Sequence, residues 1–139
     1  MTISLRRLLL ACPILYGAIA IALPQPAYGC SCRRPAPLDV ALADSAAVFA
    51  GTVVGIDVTN PAYMTVTLDV GETWKGMLSQ TIHVQTAPTS AICGYHFEQG
   101  EAYLVYAQQL GSQLRTTQCD RTSPLNQATQ DIAILNAIR

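Results

Sequence analysis

Four of the five cysteines carry the chemistry that can be read first: Cys30 and Cys32, at C-x-C spacing, then Cys93 and Cys119, while Cys12 lies in an apolar N-terminal run. A pair at C-x-C spacing can be a covalent anchor, a redox pair, two soft-metal ligands or a site of lipid attachment. Which of these applies depends on what precedes it. Arg6-Arg7, an apolar run from Leu8 to Leu23 and then Ala27-Tyr28-Gly29 have the charged, apolar and small-residue regions of a secretory signal peptide. The run, about 16 residues, is on the short side for a membrane span. Residues 1-29 therefore read as a signal peptide, and cleavage after Gly29 would make Cys30 the first residue of the mature chain. A lipoprotein reading of Cys30 would ask for leucine where Ala27 stands and a small residue where Tyr28 stands.

Removing 29 of the 139 residues leaves 110, enough for one domain, residues 30-139. Without Arg6 and Arg7, six basic residues face nine acidic ones. That balance argues against nucleic acid or an anionic membrane surface as partner, since both need clustered Lys and Arg. Four cysteines in a small exported domain read as two disulfides. Of the three pairings that counting allows, a Cys30–Cys32 bridge is disfavoured by geometry, and the other two stay open. Both tie the chain's start to its second half. Each closes a loop of roughly 60 to 90 residues, worth roughly 4–5 kcal/mol as an upper figure.

The elements that must position these cysteines are mostly strands. Val48, Ala50, Thr52, Val54, Ile56 and Val58 alternate along a first strand, with Gly51 and Gly55 on its other face. Thr59-Asn60-Pro61 reads as a tight turn. Met64, Val66, Leu68 and Val70 mark a second strand that ends at Trp74-Lys75-Gly76. Ile82 and Val84 mark a short third strand, Ala102 to Gln108 a fourth, and Gln113 to Cys119 a fifth after the Gly111-Ser112 turn. Pro37 to Ala47 predicts a short helix with proline at its start. Ser123-Pro124 predicts an N-cap and first-turn proline for a terminal helix in which Leu125, Ala128, Ile132 and Leu135 share a face. The fold class is thus all-β with flanking helices: a five-stranded OB-fold-like β-barrel plus a short N-terminal helix and a C-terminal helix.

The order of motifs is informative as a set: Cys30-Ser31-Cys32, then Phe49-Ala50-Gly51-Thr52-Val53, Trp74-Lys75-Gly76, Cys93-Gly94-Tyr95, Tyr103-Leu104-Val105-Tyr106 and Thr116-Thr117-Gln118-Cys119. It resembles the netrin-like module, in particular the N-terminal domain of the tissue inhibitors of metalloproteinases and their bacterial relatives, across essentially all of residues 30-139. The resemblance implies the pairing Cys30–Cys93 and Cys32–Cys119. It also implies a mature N-terminus that acts as a wedge in a zinc metalloprotease. There the α-amino nitrogen and carbonyl oxygen of Cys30 would chelate the partner's zinc, and Ser31 would point into the adjoining specificity pocket. Cys32, Arg33 and the Ser90-Ala91-Ile92-Cys93 segment would complete the wedge. The third disulfide of the animal inhibitory domain has no counterpart, and Arg33-Arg34 adds charge where those inhibitors are usually uncharged.

The remaining residues read quietly. His83, between Ile82 and Val84, should face solvent, and His96 could lie near the wedge. Tyr95, Tyr103 and Tyr106 should pack on the barrel. The chain has no G-x-S-x-G elbow, no H-E-x-x-H, no phosphate-binding glycine loop and no C-x-x-C pair, so no enzymatic activity and no cofactor are expected. The functional expectation is a secreted or periplasmic inhibitor of a zinc metalloprotease. The alternative is a non-inhibitory netrin-like interaction module of the periplasm or cell envelope, in which the cysteines only staple.

Overall fold

In the computed structural model of the protein, residues 29–32 and 35–139 are described. The signal-peptide reading of 1-29 and the wedge role of Arg33 fall, apart from Gly29, outside the described residues. Helix α1 (Leu38–Asp44) leads into β1 (Ala47–Asp57), which pairs antiparallel with β2 (Met64–Lys75), and β2 with β3 (Thr81–Thr86). Then come β4 (Ala102–Leu110), β5 (Gln113–Arg115), β6 (Ser123–Pro124) and helix α2 (Thr129–Ala137). The strand order β1-β2-β3-β5-β4 returns to β1 through an antiparallel β1–β4 ladder, with β3 and β5 parallel. The result is a closed five-stranded barrel with two flanking helices, the fold class that the strand count and spacing predict. Closure leaves few open strand edges on a chain that is half apolar by composition.

Two apolar layers follow from the period-2 geometry of the strands. Phe49, Val53, Val66, Leu68, Val84, Tyr103 and Val105 fill the barrel. Val48, Leu104 and Tyr106 point the other way and are covered by Ala128 and Leu135 of the C-terminal segment, with Leu38, Leu42 and Trp74 at the margin. Both faces of β1 are therefore buried near its start. The face from Val48 to Val58 is not the interior one: Ala47, Phe49 and Val53 point inward, while Thr52 and Val54 are exposed. Register shifts along β1, including one between Val53 and Gly55, break the alternation, so Ile56 packs against the interior although Val54 does not.

Other boundaries move for local reasons. Helix α1 stops at Asp44, short of Ala47, because Ser45 turns extended and both its N–H and its hydroxyl donate to Ala41 O, at 3.1 and 2.7 Å. Lys75 of β2 donates to the helix's last carbonyls, Leu42 O at 2.6 Å and Ala43 O at 3.0 Å, supplying a cation where α1 has none of its own. The fifth strand ends at Arg115, not Cys119. Beyond it Thr117 donates from both its N–H and its hydroxyl to the Asp120 carboxylate, at 2.7 and 3.0 Å, curling the chain into a turn. Ser123-Pro124 is not a helix start: it pairs with Tyr103 and Leu104 as β6, and a 3-10 turn (Leu125–Gln127) separates it from α2. The face predicted for the terminal helix nevertheless packs on the barrel, through Leu125, Ala128, Ile132 and Leu135.

Candidate functional site

Three segments meet around the cysteines: the start of the described chain (29–32), the connector after β3 (87–94) and the turn after β5 (116–120). Disulfides join Cys30 to Cys93 and Cys32 to Cys119, each with Cα atoms 5.1 Å apart, which is the pairing that the resemblance implies. The two bridges touch, since the Cys30 and Cys119 sulfurs are 3.7 Å apart. The Cys30, Cys93 and Cys119 sulfurs all lie within 4.8 Å of one another, a spacing that suits a metal, but each is engaged in a disulfide and offers no thiolate.

The connector is held as tightly as its partner. After β3 the chain makes a single 3-10 turn (Ser90–Ile92), in which Ile92 and Gly94 both donate to Thr89 O and Cys93 donates to Ser90 O. Cys93 sits in the left-handed region at φ 68°, unusual for a residue with a side chain. Gly94 must be glycine because a Cβ there would stand 2.0 Å from Ala87 O and 2.7 Å from Thr89 O. Tyr95 N–H then donates to the buried hydroxyl of Thr86 at 2.8 Å, returning the chain to the barrel. Across the site, Gln118 donates from its N–H to Cys93 O (3.0 Å) and from its amide side chain to Ser90 O (3.1 Å).

Against this turn Cys30 N–H donates to Ala91 O at 2.9 Å. Of the expected wedge residues, Ser31, Cys32, Ser90, Ala91 and Ile92 are exposed, while Cys30 and Cys93 are half-buried. Ile92 is the one large apolar side chain of the group, 57% exposed. The structure thus brings every described member of the expected set to one rim of the barrel. Beside it a shallow cavity of about 310 Å³ is bounded by Met64, Pro88, Ser90, Tyr95 and His96, so His96 does lie next to this rim. Its imidazole is 3.9 Å from the Glu98 carboxylate and largely in solvent. His83 faces out as expected, 3.1 Å from the Thr67 hydroxyl.

Under the rim, Tyr95 packs tilted against Phe97 and edge-to-face with Tyr103, with ring centroids 4.7 and 5.9 Å from its own. Burial, reinforced by Tyr103, pushes the Tyr95 phenol up to about 12. Tyr106 is raised to about 12 as well, first by burial and then by Asp131, whose carboxylate accepts its hydroxyl at 3.2 Å. Asp131 also accepts two bonds from Arg121, at 2.6 and 2.9 Å, and Arg121 reaches Ala36 O at 2.8 Å. That cluster ties the segment before α1 to α2 and to the turn carrying Cys119. Gln118 and Gly94 stand in the sequence motifs without an assigned role, and sequence reasoning passes over Arg121 altogether. Gln118 serves carbonyls 25 and 28 residues away, Gly94 avoids the carbonyls of Ala87 and Thr89 across its own tight turn, and Arg121 joins the Asp131 carboxylate to Ala36 O, contacts that no local pattern announces.

A larger apolar groove, about 610 Å³, lies between α1 and α2 and is lined by Leu38, Leu42, Trp74, Ile134 and Ile138. It contains none of the cysteines. The sequence matches no protein-family model and no curated protein.

Proposed function

We propose that the mature protein is a secreted netrin-like inhibitor of zinc metalloproteases, in which the free amine and carbonyl of Cys30 chelate the catalytic zinc of the target. The observation that carries this reading is the setting of Cys30. Its nitrogen is bonded to Ala91 O at an exposed rim, and its side chain is bridged to the connector that holds Ala91. Two disulfides suit an exported chain. A catalytic zinc keeps one position open for water or substrate, and a bidentate N,O donor can occupy it. An α-amine titrates near pH ~8, so a metal can displace its proton at modest cost. In the neutral amine, one hydrogen is accepted by Ala91 O and the lone pair is left for the metal. Holding the donor rigid reduces the entropy lost on binding.

The reading makes cleavage after Gly29 obligatory, because an acylated Cys30 nitrogen has no lone pair to give. The test compares two oxidised proteins against a panel of zinc metalloproteases: one beginning at Cys30 and one with a single alanine ahead of it. Inhibition by the first and its loss in the second supports the chelating terminus. Equal inhibition by both removes the chelator, and no inhibition by either leaves a barrel that binds without inhibiting.

A further inference from the structure

The two disulfides are close enough to exchange partners. Cys119 Sγ lies 3.7 Å from Cys30 Sγ although each is bonded elsewhere, and the Cys93 sulfur is within 4.8 Å of both. Exchange needs a thiolate, a disulfide sulfur within reach and access for the first attack. Access is uneven here: Cys32 is exposed, whereas Cys30, Cys93 and Cys119 are half-buried. We propose that the Cys30, Cys93 and Cys119 sulfurs form one exchange-competent cluster, in which a monothiol attacking Cys32 switches the tether of Cys30 from Cys93 to Cys119.

Each step balances. The external thiolate bonds to Cys32 Sγ, the Cys32–Cys119 bond breaks, and Cys119 leaves as a thiolate beside Cys30, free to turn about its side-chain torsion into line with the Cys30–Cys93 bond. It attacks Cys30 Sγ, a Cys30–Cys119 bond forms, and Cys93 leaves as a thiolate. Cys93 can then attack the mixed disulfide on Cys32, which forms Cys32–Cys93 and releases the external thiol. No electrons are gained or lost overall, and the product is the second of the two pairings that tie the N-terminus to the second half of the chain. The switch would move the anchor of Cys30 away from the turn that holds Ala91 O, toward the turn at 116–120. Its consequence for inhibition rests on the chelating-terminus reading; the exchange itself does not.

The Cys32→Ser variant of the mature protein isolates the key step, since it holds one disulfide and one free thiol. Alkylation of the folded variant, followed by digestion and mass spectrometry without reduction, reads which cysteine is free. The expected result is a shift of label from Cys119 to Cys93, with a Cys30–Cys119 peptide appearing. Label confined to Cys119, with only Cys30–Cys93 bridged, overturns the proposal. If this variant does not fold, wild-type protein given limiting monothiol and quenched in acid replaces it. Cys30–Cys119 with thiol-capped Cys32 is then expected, and capped Cys32 with Cys30–Cys93 always intact overturns it.

Discussion

Gly94 shows how much one residue decides at this rim. A Cβ there meets Ala87 O at 2.0 Å, so Gly94→Ala must displace the backbone that carries Cys93 and Ala91. A loss of more than about 3 kcal/mol is expected, measured by urea denaturation of the oxidised protein. Thr116 is a second such position: its buried hydroxyl donates to Tyr106 O and touches the Thr122 hydroxyl at 2.7 Å. Thr116→Val keeps the shape and removes these two bonds, but Tyr106 O keeps the Thr122 hydroxyl as a donor at 3.3 Å, so the loss should be about 0.5–1.5 kcal/mol by the same assay. The buried phenols make a pH prediction. Tyr95 and Tyr106 sit at about 12 against an ordinary 10.0, so the unfolded chain releases these protons first. These two phenols therefore leave stability unchanged below pH 10 and lower it as pH rises from about 10 toward 12, followed by denaturant midpoint and the phenolate absorbance. At this scale the sequence speaks only through local pattern. The four cysteines and the outward His83 were legible from it. The contacts of Gln118, Gly94 and Arg121 were not, because the fold brings the carbonyls of Cys93, Ser90, Ala87 and Ala36 and the Asp131 carboxylate to them.

Among elements, the strands were the most legible, since apolar alternation reports a half-buried face directly. The pattern misled where its assumption failed. Both faces of β1 are buried at its start and bulges change its register, so alternation alone chose Val48 to Val58 over Phe49 and Val53. Ser123-Pro124 has the residue types of a helix start, but the edge of β4 takes it as a strand partner. The helices are held by side chains from elsewhere, Lys75 for α1 and Arg121 for α2. Arg121 and Asp131 are mostly buried, at 25% and 14% exposure, with two charged hydrogen bonds between them. Arg121→Met leaves Asp131 without its cation and should cost about 2–3 kcal/mol in denaturant, with little dependence on salt. Adding Asp131→Leu should recover part of that loss, because it removes the stranded charge; a further loss would count against the assignment.

For the whole molecule, the disulfides span 63 and 87 residues, and both end at the same rim. Chain-entropy reasoning puts each at about 4–5 kcal/mol, less for the second because the two loops overlap over most of their length. That is comparable to the entire stability of a domain this size, so reduction is expected to unfold the barrel or bring it close to unfolding, as circular dichroism with and without a phosphine reductant will show. A barrel built this way holds the segment at Cys30 against its rim, and the proposed chelation would put the amine and carbonyl of Cys30 on a partner's metal. Cobalt(II) in place of zinc in a metalloprotease reports its ligands through visible absorption. Titrating such an enzyme with protein beginning at Cys30 should change the spectrum in step with inhibition and saturate at one to one. The protein with one extra alanine should leave it unchanged. Inhibition by the Cys30 protein with an unaltered cobalt spectrum would contradict chelation through the Cys30 amine and carbonyl.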